Sequence, residues 1–193
     1  MSLGNGSYVV AELDATYREE SPASAVDIYL FVSGSDQWKV LKRHPVRCGN
    51  GDLLELSRCR RWSTNRVLAF RRRFLVWVDY YRGMIFMDME RPWRKPDLRY
   101  VPLPVGAAER IVHDDRRKYG TRCPEAYNNM CATRSGIRFV SVKRWSTDDF
   151  SITTWSLCDA DYTWREEATP FGWWGGGCFR LLRAAAAVRL LGC

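Results

Sequence analysis

At 193 residues, 46% hydrophobic and 13% aromatic with nine Trp, the chain can bury a real core, and this composition excludes wholesale disorder. The formal charge of +8 favours loose contact with polyanions without specifying one. No apolar run reaches the length of a membrane span.

Residues 1–7 are polar and glycine-rich and are expected to be disordered; no basic segment followed by an apolar run marks a secretory signal. Strands are predicted at Ser7–Leu13 and Val26–Val32, the second rich in β-branched and aromatic residues. Ser33-Gly34-Ser35-Asp36 reads as a turn and Gln37–Leu41 as its return. Arg66–Phe70, Phe74–Asp79 and Met84–Met89 read as three further strands, with Arg82-Gly83 in the last turn because glycine tolerates positive φ. In Phe74–Asp79 both alternating rows are apolar, so this strand is expected to be covered on both faces. Leu98–Pro104 is an extended segment closed by two prolines, and Arg116–Asn129 reads mostly as loop. Ile137–Val142 and Phe150–Leu157 are predicted strands, with Tyr162–Glu166 as a return partner.

The segment Ile28–Val32, a polar turn and Trp38-Lys39 echoes Ile152–Leu157, a polar turn and Trp164-Arg165. Repeated hairpins ending in Trp are the sequence mark of propeller blades; two unrelated hairpins with buried Trp would look the same. After Glu167 no acidic residue remains, and residues 169–193 form an atypical Gly/Ala/Arg tail. Within it, Cys178–Leu191 has the pattern of a short basic amphipathic helix.

Val76-Trp77-Val78-Asp79 with Arg82-Gly83 and Met84-Ile85-Phe86-Met87-Asp88, followed by Leu98-Arg99-Tyr100-Val101-Pro102-Leu103-Pro104, resembles the plant domain of unknown function 1618, a family chiefly expanded in cereals. Tyr8–Leu13, Ile28–Phe31, Gly136–Val140, Ile152–Leu157 and Trp164 resemble its other strands in order, so the resemblance covers roughly residues 8–168. It implies a single β-rich domain over 8–168, more distantly similar to the propeller-like domains that follow F-box motifs. It carries no catalytic residues. After Trp164 the family pattern should continue through further strands, whereas this chain departs into its tail, so the expected fold is incomplete at that end. The fold class expected is mainly β, propeller-like or of stacked antiparallel hairpins, with a short C-terminal helix.

Chemistry is sparse. The seven cysteines are irregularly spaced without a Cys-x-x-Cys, and neither His44 with Cys48 and Cys59 nor His113 with Cys123 and Cys131 has the paired spacing of a zinc site. Reduced thiols and the missing signal point to the cytoplasm or nucleus. No nucleophile, base and orienting group assemble, and no phosphate-cradling glycine loop follows a strand. Asp79 and Asp88 would make a carboxylate pair if they faced each other across a hairpin; more often such residues end strands or hold turns. The expectation is therefore a non-enzymatic module, without cofactor or metal, that presents loops to a protein partner. Trp38, Trp62, Trp77, Trp145, Trp155 and Trp164 are expected in the core, with any exposed one a binding hot spot. The alternative is a nucleic-acid-associated module using Arg58, Arg60, Arg61, Trp62, Arg71, Arg72 and Arg73, since arginine beside Trp can contact phosphate and stack on bases.

Overall fold

The computed structural model describes residues 2–4, 7–15, 25–35, 37–49, 51–53, 62–90, 96–104, 128–144 and 150–167. The chain divides into two compact units, residues 1–118 and 119–193, each with its own sheet. The mainly β class is what the structure has: twelve strands and no helix among the described residues. The tail at 169–193 and its expected helix at 178–191 lie outside those residues.

The first unit holds β1 (Ser2–Gly4), β2 (Ser7–Asp14), β3 (Ala25–Val32), β4 (Lys39–Arg47), β5 (Arg66–Phe70), β6 (Phe74–Asp79), β7 (Gly83–Asp88) and β8 (Leu98–Pro102). They form one continuous sheet in the order β1-β2-β3-β4-β8-β7-β6-β5. Every pairing is antiparallel except β4 with β8, which is parallel and joins the two halves through Val46 opposite Leu98 and Arg47 opposite Arg99. Hairpins are therefore present as expected, but they are fused edge to edge.

The sheet curls. Val9, Leu13, Val26, Ile28, Leu30 and Leu41 from one half and Leu75, Trp77, Ile85, Met87 and Leu98 from the other belong to one buried cluster. Alternation puts them all on the concave face. Ile28, Leu30, Ile85, Met87 and Leu98 are fully buried, each contributing roughly 1.5–3 kcal/mol through removal from water. β6 is covered on both faces: Leu75 and Trp77 join the inner cluster, and Val76 and Val78 are fully buried on the other side.

The second unit holds β9 (Asn128–Thr133), β10 (Gly136–Arg144), β11 (Phe150–Leu157) and β12 (Trp164–Glu167), an antiparallel meander in chain order. Phe139 is buried between Trp155 and Trp164, at ring-centroid distances of 5.6 and 6.0 Å.

Several elements differ from expectation. Residues 1–7 contain β1, whose Ser2 pairs with Tyr8 and Gly4 with Ser7; Asn5-Gly6 is the two-residue hairpin signal that could have announced it. β9 is a strand that the sequence pattern does not announce: Asn-Asn-Met-Cys-Ala-Thr lacks β-branched alternation, and pairing with β10 makes it one. Gly83 is not in the turn and has no positive φ; it opens β7 opposite Asp79. The two Trp hairpins share their local form but not their burial: Trp38 touches Phe31 at 5.6 Å and stays 53% exposed, whereas Trp164 packs on Phe139.

Candidate interaction surface

The basic turn of the sequence joins β5 to β6. Phe70 pairs with Phe74, and Arg71 and Arg72 between them hold φ of +51° and +53°. Both conformations are left-handed, where a side chain costs roughly 1–2 kcal/mol each. The guanidinium of Arg71 lies 5.0 Å over the Phe70 ring, and that of Arg73 lies 5.3 Å over Phe74. Arg73 also donates through Nε to both carboxylate oxygens of Asp88 at 3.0 Å and bridges to Glu90 at 2.9 Å. Its charge is thus balanced within the fold. The Arg73 hydrogen bonds hold the Asp88 carboxyl below the usual carboxylate value, against partial desolvation. Of the other residues in the nucleic-acid reading, Arg58, Arg60 and Arg61 lie outside the described residues, and Trp62 is half-buried against the inner cluster, its indole Nε1 donating to Thr64 Oγ1 at 2.9 Å. The structure does not bring Trp62 and the 71–73 turn together as a stacking platform, since they sit at opposite ends of β5.

Asp79 and Asp88 do not face each other. Across the hairpin Asp79 is opposite Gly83 and Asp88 is opposite Phe74, at opposite ends. Asp79 is fully buried and acts as a clasp: Oδ1 accepts from Tyr81 N at 2.8 Å, and Oδ2 accepts from Ser63 N and Arg82 Nη1, both at 2.9 Å. Asn65 completes it, donating its N–H to Val78 O at 2.8 Å and accepting from Tyr80 N at 3.0 Å. These bonds pin residues 63–65 beside the β6–β7 turn and so position Trp62.

Trp62, Ser63, Thr64, Val67 and Trp77 form one wall of a cleft of about 390 Å³; Ala11–Asp14 of β2 and the following Ala15 form the other. The curl of the sheet brings these two strands to face each other. On the convex face, Tyr8 and Val10 of β2 and Val40 of β4 are 49%, 45% and 39% exposed, alongside Trp38. Val10 is opposite Phe31, and Tyr29 is opposite Val40, so these side chains form a contiguous aromatic and aliphatic field over three neighbouring strands. Trp38 therefore departs from its expected place in the core. It stands just before β4, where the strand has not yet entered the curl, and the row it shares with Val40 points outward.

Among the described residues, no three His, Cys, Asp or Glu side chains gather as a metal site, and no helix is long and apolar enough to cross a membrane. Cys48, Cys131 and Cys158 are half-buried thiols outside any disulfide.

A family model described as a protein of unknown function (DUF1618) matches residues 77–172, beginning inside β6 and running past β12. No curated protein and no solved structure matches the chain.

Proposed function

The chain belongs to the DUF1618 family of proteins of unknown function, and from that premise we propose that it is a non-enzymatic protein–protein interaction module whose partner docks on the outer face of β2, β3 and β4. The observation that carries this reading is the exposed row Tyr8, Val10, Trp38 and Val40, backed by Phe31 and Tyr29. A contiguous apolar patch on a rigid sheet costs solubility and is retained where it binds. Trp and Tyr at its centre are the residue types that dominate interface energetics. The role lies inside the cell, a reading supported by the three described cysteines that form no disulfide. Nucleic-acid contact through Arg58–Arg73 is the weaker reading, because Arg73 is already engaged by Asp88 and Glu90.

The test is site-specific photo-crosslinking. A benzophenone amino acid replaces Trp38 in the full chain, and a control replaces exposed Arg134 in the β9–β10 turn. One protein recurring in the adducts at 38, absent at 134 and lost with Val10→Lys, supports the reading. Identical adducts at both positions would overturn it, and adducts to RNA or DNA would favour the alternative.

A further inference from the structure

The first unit's sheet curls so that β2, near one end, and β5, at the other, line the same cleft. The inner row Ile85, Trp77, Val67 runs across β7, β6 and β5 as direct cross-strand neighbours, and its exposure goes from 0% to 1% to 49%. The apolar concave face therefore runs to the β5 edge and ends there uncovered. Facing it across the cleft is β2, whose Leu13 is buried on the concave face and whose Glu12, opposite Tyr29, stands at the convex rim of the cleft.

Both walls present open strand edges. The bond from Ser33 N to Tyr8 O turns the main-chain groups of Tyr8, Val10 and Glu12 towards β3, so those of Ala11 and Leu13 face the cleft. The bond from Met89 N to Arg73 O turns Arg73, Leu75 and Trp77 towards β7, so Phe74, Val76 and Val78 bond to β5 through Phe70, Leu68 and Arg66. The N–H and C=O groups of Val67 and Ala69 are left pointing outward, and no described strand pairs with them. An unpaired edge of this kind is a template for another strand. In a chain of net charge +8, the convex rim of this cleft carries the exposed carboxylate of Glu12, which has no ion pair among the described residues.

We infer that this seam is a second docking site, one that takes an extended peptide of a partner protein carrying alternate apolar and basic side chains. The peptide pairs with β5 through the free groups of Val67 and Ala69, seats an apolar side chain over Val67 and Trp62, and sets a basic side chain against Glu12. Main-chain pairing supplies affinity, and the Glu12 carboxylate at the rim selects the charge of the outward-facing side chain. A cleft of this volume suits a few side chains rather than a folded domain.

The test uses a fluorescein-labelled, end-capped seven-residue peptide of alternating Val and Lys, its Val/Glu counterpart, and a version N-methylated on the residues facing β5. Binding to the full chain is read by anisotropy. The Val/Lys peptide should bind in preference to Val/Glu despite the net positive charge of the protein. N-methylation should weaken it roughly tenfold or more, and Glu12→Gln about two- to fivefold. Val67→Pro should abolish binding while leaving the β5–β6 ladder, because the Val67 N–H points away from β6. Circular dichroism checks that variant, and if it fails to fold, the N-methylated peptide still tests pairing on the intact protein. Equal binding of both charge types, indifference to N-methylation, or no binding would overturn the inference. So would concentration-dependent dimerisation abolished by Val67→Pro, which would make a second copy of the chain the occupant. The crosslinking at Trp38 reads a different face, so either site can fail without the other.

Discussion

The ring of Tyr100 closes over Gly83: a methyl group added there would meet the Tyr100 ring at 2.7 Å and the Val101 carbonyl oxygen at 2.5 Å. The Tyr100 hydroxyl then donates to the Arg82 carbonyl at 2.8 Å, tying β8 to the start of β7. Glycine is needed for this approach and not for an unusual φ. Gly83→Ala should therefore destabilise the first unit by about 1–3 kcal/mol, because backbone is one of the obstacles and cannot rotate away. Urea unfolding measures this; a midpoint unchanged from the parent chain would refute the close approach.

Asp79 is a fully buried carboxylate with every oxygen engaged. Asp79→Ala leaves Arg82 and two backbone N–H groups without their acceptor, and a loss of about 3–5 kcal/mol is expected. Residues 63–65 lose an anchor at the same time, so Trp62 should become more accessible to acrylamide quenching. A stable variant with unchanged quenching would show that the clasp does not position the cleft wall.

Trp38 and Trp77 separate an interface role from a core role. Trp77 is 1% exposed, and Trp77→Ala should cost about 3–5 kcal/mol. Trp38→Ser should change stability by no more than about 0.5 kcal/mol while removing the proposed partner contact. Thermal unfolding of the two variants side by side decides it; a large loss at position 38 would make Trp38 structural.

The turn residues Arg71 and Arg72 sit where asparagine and glycine are favoured. The double substitution Arg71→Asn with Arg72→Gly should stabilise the hairpin by about 1–2 kcal/mol, offset slightly by loss of the Arg71 contact with Phe70. Retention on heparin should fall little if this turn is not a phosphate site. A steep loss of salt-sensitive retention would revive the nucleic-acid reading.

Two carboxyls predict the acid limb. Asp88 is held low chiefly by hydrogen bonds from Arg73, and Asp161 is lowered to about 2, first by the Thr163 hydroxyl and next by the Cys158 thiol. A folded-state value below the unfolded one means the stabilisation is fully present above about pH 4 and is lost as pH falls through the folded value. Melting temperature should hold from pH 7 to 5 and drop between about 3.8 and 2. Asp161→Asn should flatten part of that drop, and an unaltered profile would show that the turn contributes nothing to it.

What is legible in the sequence follows the physics of each element. β5 and β6 are readable to the residue because Arg66–Phe70 and Phe74–Asp79 are dense in β-branched and aromatic side chains. β9 is not, since its identity as a strand comes from β10, a partner that no local pattern reveals. The carboxylates of Asp79 and Asp88 are visible, but their separation depends on register. The exposure of Trp38 is equally hidden, because a Trp beside a strand reads as core until the curl of the sheet shows which row points outward. The cleft needs two strands about 50 residues apart in sequence to face each other, and no short-range signal encodes that.

The parallel joint between β4 and β8 has a kinetic consequence. Each half of the large sheet, β1–β4 and β5–β8, is a run of neighbours in chain order that can zip from its own turns. The joint alone demands that residues 46–47 find residues 98–99; its ladder has two residue pairs, and the inner cluster shared by both halves is completed only when they dock. Loop-closure entropy is met there before much contact is gained. The two halves should therefore collapse early and dock late, with the joint setting the slow phase of refolding and giving way first under load. Most of the first unit's core burial is therefore gained in that last step, since the cluster draws its residues from both halves.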